Sequence, residues 1–305
     1  MTSQPPDVLW ARNVVVGLLR GDDVAKRFGA ARLKGGIGKK SYVVADRDAV
    51  IQIRPFQKWH EPVVEAHRLW KRRGCSVAEL LAAGAIAGYR YYVFAHVRGE
   101  PLGWQHMTAE NLTRYGRAVR EMSSVSTSQF GEFGSGLSGM FGTWEEFLLT
   151  RVHRYAAALS ARGLLPAGVS ATDVIHCAHS TFRRSELNGG GDGRPRLLYV
   201  DVSPTNALVD PMSGQVWVID YDYLISGDPQ FVLARSSLVV ENESWLRWFA
   251  TGFEAADINE VTFSGYRLVH ALEMLTTPAK DHGWIADRQP RLLAELESTL
   301  RVLRG

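Results

Sequence analysis

The chain has 305 residues, enough for one large domain or two smaller ones around a well-buried core. Its 46% hydrophobic and 22% charged residues match an ordinary globular enzyme. A formal net charge of +3, spread evenly, gives no footing for nucleic acid or an anionic membrane surface.

The first residues lack a basic region followed by an apolar core, so no secretory signal is expected. Two short helices are predicted around Gly21-Asp22-Asp23, the first over residues 8–20 and the second over 24–28. Residues 33–45 carry Gly35, Gly36 and Gly38 and then the alternating Ser41-Tyr42-Val43-Val44. A turn and a second strand over 49–54 follow, stopped by Pro55. Pro62 opens a helix to about Arg73, with Val63, Val64, His67, Leu69 and Trp70 on its apolar face. Strands are predicted at 80–86 and 89–97, joined through Gly88. From there the pattern turns helical: a helix over 109–124, a Gly/Ser/Phe-rich loop over 126–142, and a helix from Thr143 to Arg162-Gly163. A flexible connector, Asn188-Gly-Gly-Gly-Asp-Gly, precedes a strand–loop–hairpin segment, and the remainder is helical. No apolar stretch reaches the roughly 18 residues that span a bilayer. Cys75 and Cys177, the only cysteines, argue against a disulfide framework and suit a reducing cytoplasm. The expectation is a cytoplasmic monomer with neither nucleic acid nor membrane as partner.

Chemistry concentrates between Leu197 and Asp220. An apolar run delivers Asp201 into a short polar loop that ends at Asn206, and a hairpin follows whose return strand ends at Asp220. Phosphoryl transfer to a hydroxyl needs a carboxylate to accept the hydroxyl proton, and an amide and a carboxylate to hold Mg²⁺ on the nucleotide phosphates. Asp-x4-Asn alone is a common accident of turns. The third member, with Ser226-Gly227-Asp228-Pro229 shortly after it, makes the pattern informative.

With Tyr199-Val200-Asp201 to Asn206, Ile219-Asp220-Tyr221 and Gly227-Asp228-Pro229, the chain resembles the aminoglycoside phosphotransferase family of kinase-like small-molecule enzymes. Phe130-Gly131 to Gly142-Thr143-Trp144 adds to the likeness, which runs over residues 33–238. The resemblance implies an α+β, two-lobed protein-kinase-like fold. Residues 1–97 would form a small β-rich nucleotide-binding lobe, and residues 98–305 a larger, mainly α lobe for catalysis and substrate. It implies ATP or GTP with Mg²⁺ as cofactors and a small hydroxylated molecule, such as an aminoglycoside or related antibiotic, as acceptor. Asp201 would be the general base, and Asn206 and Asp220 the metal ligands. Gly35, Gly36 and Gly38 would bring backbone amides near phosphate. The backbone of Ala95 and Val97 would meet the nucleotide base.

Three positions depart from the family pattern. Gln52 stands where the family carries the phosphate-binding Lys or Arg. Arg54 lies on the same strand face, about 7 Å further along, and either supplies that charge or is an ordinary strand-end residue. Glu65 matches the helix glutamate that pairs with the cation, with Glu61 as the fallback. Tyr199 replaces the usual His, and Val232 replaces an acid. Gln52 and Tyr199 also leave room for a nucleotide-binding pseudokinase. Asp222 reads equally as a second-metal or substrate neighbour and as a solvated acid. His176 and His179, an i, i+3 pair, lack a third ligand for zinc. On the acceptor side, Glu241, Glu243, Asp257, Glu260 and Glu273 are available to a cationic substrate, although acids on helices are usually a solvated face.

Overall fold

A computed structural model describes residues 8–20, 27, 29–33, 40–55, 62–103, 105–184, 194–221, 223–240, 242–254, 259–277 and 283–304. The glycines Gly35, Gly36 and Gly38, the fallback Glu61, Asp222, Glu241, Asp257 and nearly all of the helix expected at 24–28 lie outside the described residues.

The alternation read at 40–55 becomes strand pairing. β1 (Ala30–Arg32), β2 (Lys40–Val44), β3 (Ala49–Pro55), β4 (Leu80–Ile86) and β5 (Tyr89–Ala95) form an antiparallel sheet in the order β1-β2-β3-β5-β4. Ala49, Ile51 and Ile53 of β3 are buried against α1 (Val8–Arg20), which contributes Ala11, Val14, Val15 and Leu18. With a side-chain period of two, Val50 and Gln52 must face the other way, into the cleft described below. At the β4–β5 turn Ala87 and Gly88 both have positive φ (49° and 77°), the backbone of a two-residue hairpin that follows the strands' twist.

α2 (Pro62–Arg72) buries Val63, Ala66, His67 and Trp70 not in that sheet core but in the core of the rest of the chain. The Trp70 indole N–H donates to the Met122 carbonyl at 3.0 Å. Val77 bridges Val218 in parallel, and the Val218 amide donates to the Ser76 carbonyl at 2.9 Å.

The helices come next: α3 (Ala109–Met122), α4 (Trp144–Ala161), α5 (Ala171–Arg184), α6 (Gln230–Val239), α7 (Glu243–Phe253), α8 (Glu260–Thr276) and α9 (Gly283–Arg304). α4 starts where Glu145 and Glu146 suit a helix N-terminus, and the Thr143 hydroxyl accepts the Glu146 amide at 3.1 Å. α8 is the central helix, burying Tyr266, Leu268, Val269, His270, Ala271 and Leu272.

Two small sheets interrupt the helices. One has the order β11-β10-β6, from β6 (Glu100–Pro101), β10 (Ala207–Val209) and β11 (Val216–Val218). The other has the order β8-β7-β12-β9, from β7 (Phe130–Ser135), β8 (Ser138–Phe141), β9 (Arg196–Tyr199) and β12 (Leu224–Gly227). The β7–β8 hairpin occupies the stretch read as a loop from its glycines and serines. Glycine permits the pairing, because a Cβ on Gly139 would collide with the Phe130 backbone across the hairpin. Among the described residues no helix is long and apolar enough to cross a membrane.

Candidate active site

β9 places Tyr199 inside the core, and the chain then enters the loop that carries Asp201. Ser203 caps a short 3-10 turn, Pro204–Asn206, that swings Asn206 back toward Asp201. The Asn206 side-chain N–H₂ donates to the Asp201 carbonyl at 2.9 Å and to the Asp201 carboxylate at 3.0 Å. Both donors of the amide are therefore turned to Asp201, which leaves the amide oxygen for another partner. The Ile219 amide donates to the Asn206 carbonyl at 2.9 Å, so the loop is tied to the strand that presents Asp220. Asp220 has φ 66°, a left-handed conformation that Asp tolerates better than most residues and that recurs at functional sites.

Tyr199 is fully buried, and its hydroxyl donates to the Ile219 carbonyl at 3.2 Å. The Asn206 amide and the Tyr115 hydroxyl also lie within its reach, while Tyr115 itself donates to the Ser203 carbonyl at 3.0 Å. Burial, then Tyr115, Asp201 and Asp220, hold the Tyr199 hydroxyl well above its ordinary range. It is a neutral donor that props the Asp201 loop from behind.

A cleft of about 540 Å³ runs between the first sheet and this loop. Val43, Val50, Phe94, Leu208 and Ile219 give it apolar walls, and Ala95, His96 and Val97 form one end. The Ala95 amide is taken by the Glu79 carbonyl at 2.8 Å. Gln52, Thr205, Asn206 and Asp220 supply the polar end. A flat apolar slot with a few convergent polar groups suits a nucleotide base and its phosphates.

Arg54 turns back along β3. Its guanidinium donates to the Gln52 side-chain oxygen at 2.8 Å, lies 3.9 Å from the Asp220 carboxylate, and stacks on the Tyr92 ring at 5.5 Å. Gln52 and Arg54 thus form a unit, the amide in the cleft and the cation beside Asp220. Burial lowers the Arg54 pKa more than the attraction of Asp220 and Tyr92 raises it. Glu65, the expected partner of that cation, is exposed on α2, and its carboxylate lies against Gly136 in the β7–β8 turn.

A second charged network lies on the other side of Asp201. Arg235 on α6 stands 4.0 Å from the Asp201 carboxylate and 3.2 Å from Glu273 of α8, and stacks on the Tyr223 ring at 5.2 Å. Arg151 of α4 pairs with Glu132 at 3.2 Å and Glu273 at 3.5 Å, and donates to the Tyr223 hydroxyl. That hydroxyl donates to Glu273 at 2.8 Å. Burial would raise the Glu273 carboxyl, but Arg151, His270 and Arg235 hold it well below the usual carboxylate range. Sequence spacing gave no sign of Arg151, Tyr223 or Arg235, since tertiary packing of separate elements brings them together.

Asp228 braces the region. It is buried, accepts the Tyr266 hydroxyl at 2.8 Å and the Gln230 amide at 2.9 Å, and Tyr266 in turn accepts the Trp144 indole N–H at 2.9 Å. Val232 is fully buried in the core. His179 meets His153 of α4 at 3.4 Å, and no group of three His, Cys, Asp or Glu is gathered as a metal site among the described residues.

A strand-rich unit over a helical one, with an Asp/Asn/Asp set at the cleft between them, defines a kinase-like phosphotransferase. The model of the phosphotransferase enzyme family APH matches residues 30–272, and the chain belongs to that family. It is therefore a small-molecule phosphotransferase. The fold is similar to that of a thermostable mutant of aminoglycoside phosphotransferase APH(4)-Ia, solved in a ternary complex with AMP-PNP and hygromycin B (TM-score 0.66, 18% identity, covering 92% of this chain and 97% of that one). It is also similar to choline kinase LicA from Streptococcus pneumoniae (TM-score 0.60, 14% identity, 93% and 99% covered). A third likeness is a putative fructosamine-3-kinase from Haemophilus somnus 129PT (TM-score 0.63, 11% identity, 92% and 95% covered). No curated protein matches the chain by sequence.

Proposed function

We propose that the protein transfers the γ-phosphoryl group of ATP to a hydroxyl of a small molecule. Residues 1–97 act as the nucleotide-binding lobe and residues 98–305 as the catalytic and substrate lobe. The observation that carries this reading is the locked pair of Asp201 and Asn206, joined through Ile219 to Asp220 at the polar end of an apolar cleft. Bound along the cleft, the nucleotide would set its base by the Ala95–Val97 backbone and its phosphates by Gln52, Arg54 and Asp220. GTP would fit the same apolar walls, and a base-specific assay decides between the two.

The hard oxygen donors at the polar end of the cleft, the Asn206 amide oxygen and the Asp220 carboxylate, fit Mg²⁺. Held there, Mg²⁺ would neutralise phosphate charge as transfer proceeds. Asp201, 40% exposed, is the carboxylate that the acceptor can reach. It orients the acceptor hydroxyl and takes its proton as the oxygen bonds to the γ-phosphorus, the bond to the bridging oxygen breaks and ADP leaves. Cys75 and Cys177, buried and in no disulfide, support a reducing, cytoplasmic setting.

An aminoglycoside or related antibiotic is the acceptor suggested by family resemblance. A different hydroxylated metabolite is the second reading, and a specific observation favours it: Glu273, an acid on the acceptor side, is already taken by two arginines. The test is ADP release with a panel of hydroxylated acceptors, alongside thermal shift by ATP with and without Mg²⁺. Turnover lost in Asp201→Asn, with Mg²⁺-linked nucleotide stabilisation kept, supports the mechanism. Undiminished turnover in that variant overturns it, and absence of any Mg²⁺-linked stabilisation points to a pseudokinase.

A further inference from the structure

The acceptor side of Asp201 carries a fixed positive charge that the reaction does not require. Arg235 projects from α6, whose start is anchored by Asp228, and its guanidinium is held by Glu273 and by the Tyr223 ring. The side chain is only 12% exposed, so its position is imposed by packing. At 4.0 Å the approach to Asp201 is a charge contact and not a hydrogen bond, so Asp201 does not use up the donors at that end of the guanidinium.

Among the described residues, Glu132 and Glu273, the acids of this network, already have cationic partners. Both Glu273 oxygens are occupied: one accepts the Tyr223 hydroxyl at 2.8 Å and faces Arg151, the other faces Arg235 at 3.2 Å and His270 at 3.4 Å. Glu132 is bound to Arg151. His270 is neutral, its pKa lowered to about 4, chiefly by burial. Two guanidiniums therefore balance two carboxylates, and Arg235 also faces Asp201. Glu243 and Glu260 stand exposed in the first turns of α7 and α8, where a carboxylate complements the helix N-terminus. An ammonium group on the carbon beside the reacting hydroxyl would have to approach the Arg235 guanidinium, fixed 4.0 Å from Asp201.

We infer that Arg235 is a specificity-determining residue: the hydroxyl presented to Asp201 belongs to a neutral or anionic small molecule with no ammonium group flanking it. A carboxylate, phosphate or hydroxyl on the adjacent carbon would accept a hydrogen bond from the guanidinium while the hydroxyl faces Asp201. This inference rests on the phosphotransfer reading of the same site.

The experiment measures ADP release, with ATP and Mg²⁺, on acceptors that differ at one carbon: D-glucosamine, D-glucose and D-glucuronate, with hygromycin B as a polycationic reference. The wild-type protein should give a lower kcat/KM with the ammonium-bearing members. Arg235→Gln should raise their kcat/KM relative to glucose by about tenfold, a modest outcome for one unit charge a few ångströms away. Arg235→Lys, which keeps the charge, should hold the wild-type order, a rescue that a purely structural role would not give. Thermal unfolding and the nucleotide-induced shift report whether each variant is folded. A wild-type preference for the ammonium members, the same ratio in wild type and Arg235→Gln, or no response to any member overturns the inference. Asp201→Asn run in parallel separates the two levels: if it retains turnover the phosphotransfer reading fails, whereas an unchanged charge ratio removes only the role of Arg235.

Discussion

Asp220 and Asp201 each have an arginine beside them, and the two arginines are in opposite electrostatic conditions. Arg54, 3.9 Å from Asp220, has its pKa lowered because burial outweighs its anionic neighbours. Arg235, 4.0 Å from Asp201, is buried as well, but Glu273, Tyr223 and Asp201 more than offset that burial and raise its pKa. The first is a cation whose burial outweighs its anionic neighbours, and in the proposed function nucleotide phosphates would add negative charge beside it. The second is a cation already balanced by protein, which suits a structural and selecting role.

That contrast breaks most sharply at the two aspartates. Asp201→Asn and Asp220→Asn should each lower kcat by at least about 10²-fold, the usual scale for loss of a catalytic carboxylate. They should differ in binding. Asp220→Asn should lose the Mg²⁺-dependent part of the nucleotide thermal shift and Asp201→Asn should keep it. Equal loss in both variants would erase the division between a metal side and an acceptor side.

The arginines give the next effect. Arg151→Met leaves Glu132 and Glu273 without their shared buried cation, and removing one partner from such a group costs about 3–5 kcal/mol. Denaturant unfolding should show that loss with or without nucleotide. Arg54→Met should be nearly silent in the same measurement and instead raise the KM for ATP by about tenfold, the scale of one charge-assisted hydrogen bond. If Arg54→Met destabilises the apo protein as much as Arg151→Met does, the two cations are not different in kind.

The legibility of these two sides in the sequence was unequal, for a physical reason. Asp201, Asn206 and Asp220 lie within 20 residues, on a strand, a turn and a hairpin whose local geometry the chain itself specifies, so their spacing carries the signal. The strands and the helices at 62–72, 109–122 and 144–161 were readable from period and caps for the same reason. The Gln52–Arg54 unit was readable in part: strand alternation puts both on one face, but only the fold brings Arg54 beside Asp220. The network of Glu132, Arg151, Tyr223, Arg235 and Glu273 draws on β7, α4, the segment before β12, α6 and α8. No local period encodes such a meeting, and Glu273 therefore passed for a solvated helix acid. The β7–β8 hairpin was missed because its glycines, needed for close strand approach, read as loop residues.

Each side also holds a buried neutral histidine, and here the effects are smallest at neutral pH. His67 stands edge-on to the Tyr221 ring, with centroids 4.0 Å apart, between Phe94 and Trp70, and neither ring nitrogen has a hydrogen-bond partner among the described residues. His270 has two contacts, the Phe231 carbonyl at 3.0 Å and Glu273 at 3.4 Å. Burial lowers His67 from 6.5 to about 3, and His270 to about 4. Between those values and the unfolded pKa the unfolded chain binds a proton that the folded one does not, so both groups remove stability as pH falls below about 6.5. That loss is complete near pH 3 for His67 and near pH 4 for His270. At pH 7.5 His67→Phe should be neutral or mildly stabilising, since it replaces an unpartnered polar ring by an apolar one of similar shape. In the same variant the fall in unfolding free energy between pH 6.5 and 4 should be visibly shallower. His270→Phe should instead destabilise at pH 7.5, because the Phe231 carbonyl and Glu273 each lose a partner. A His67→Phe variant as acid-sensitive as wild type would mean that His67 does not stay neutral against Tyr221. The electrostatic contrast would then rest on the two arginines alone.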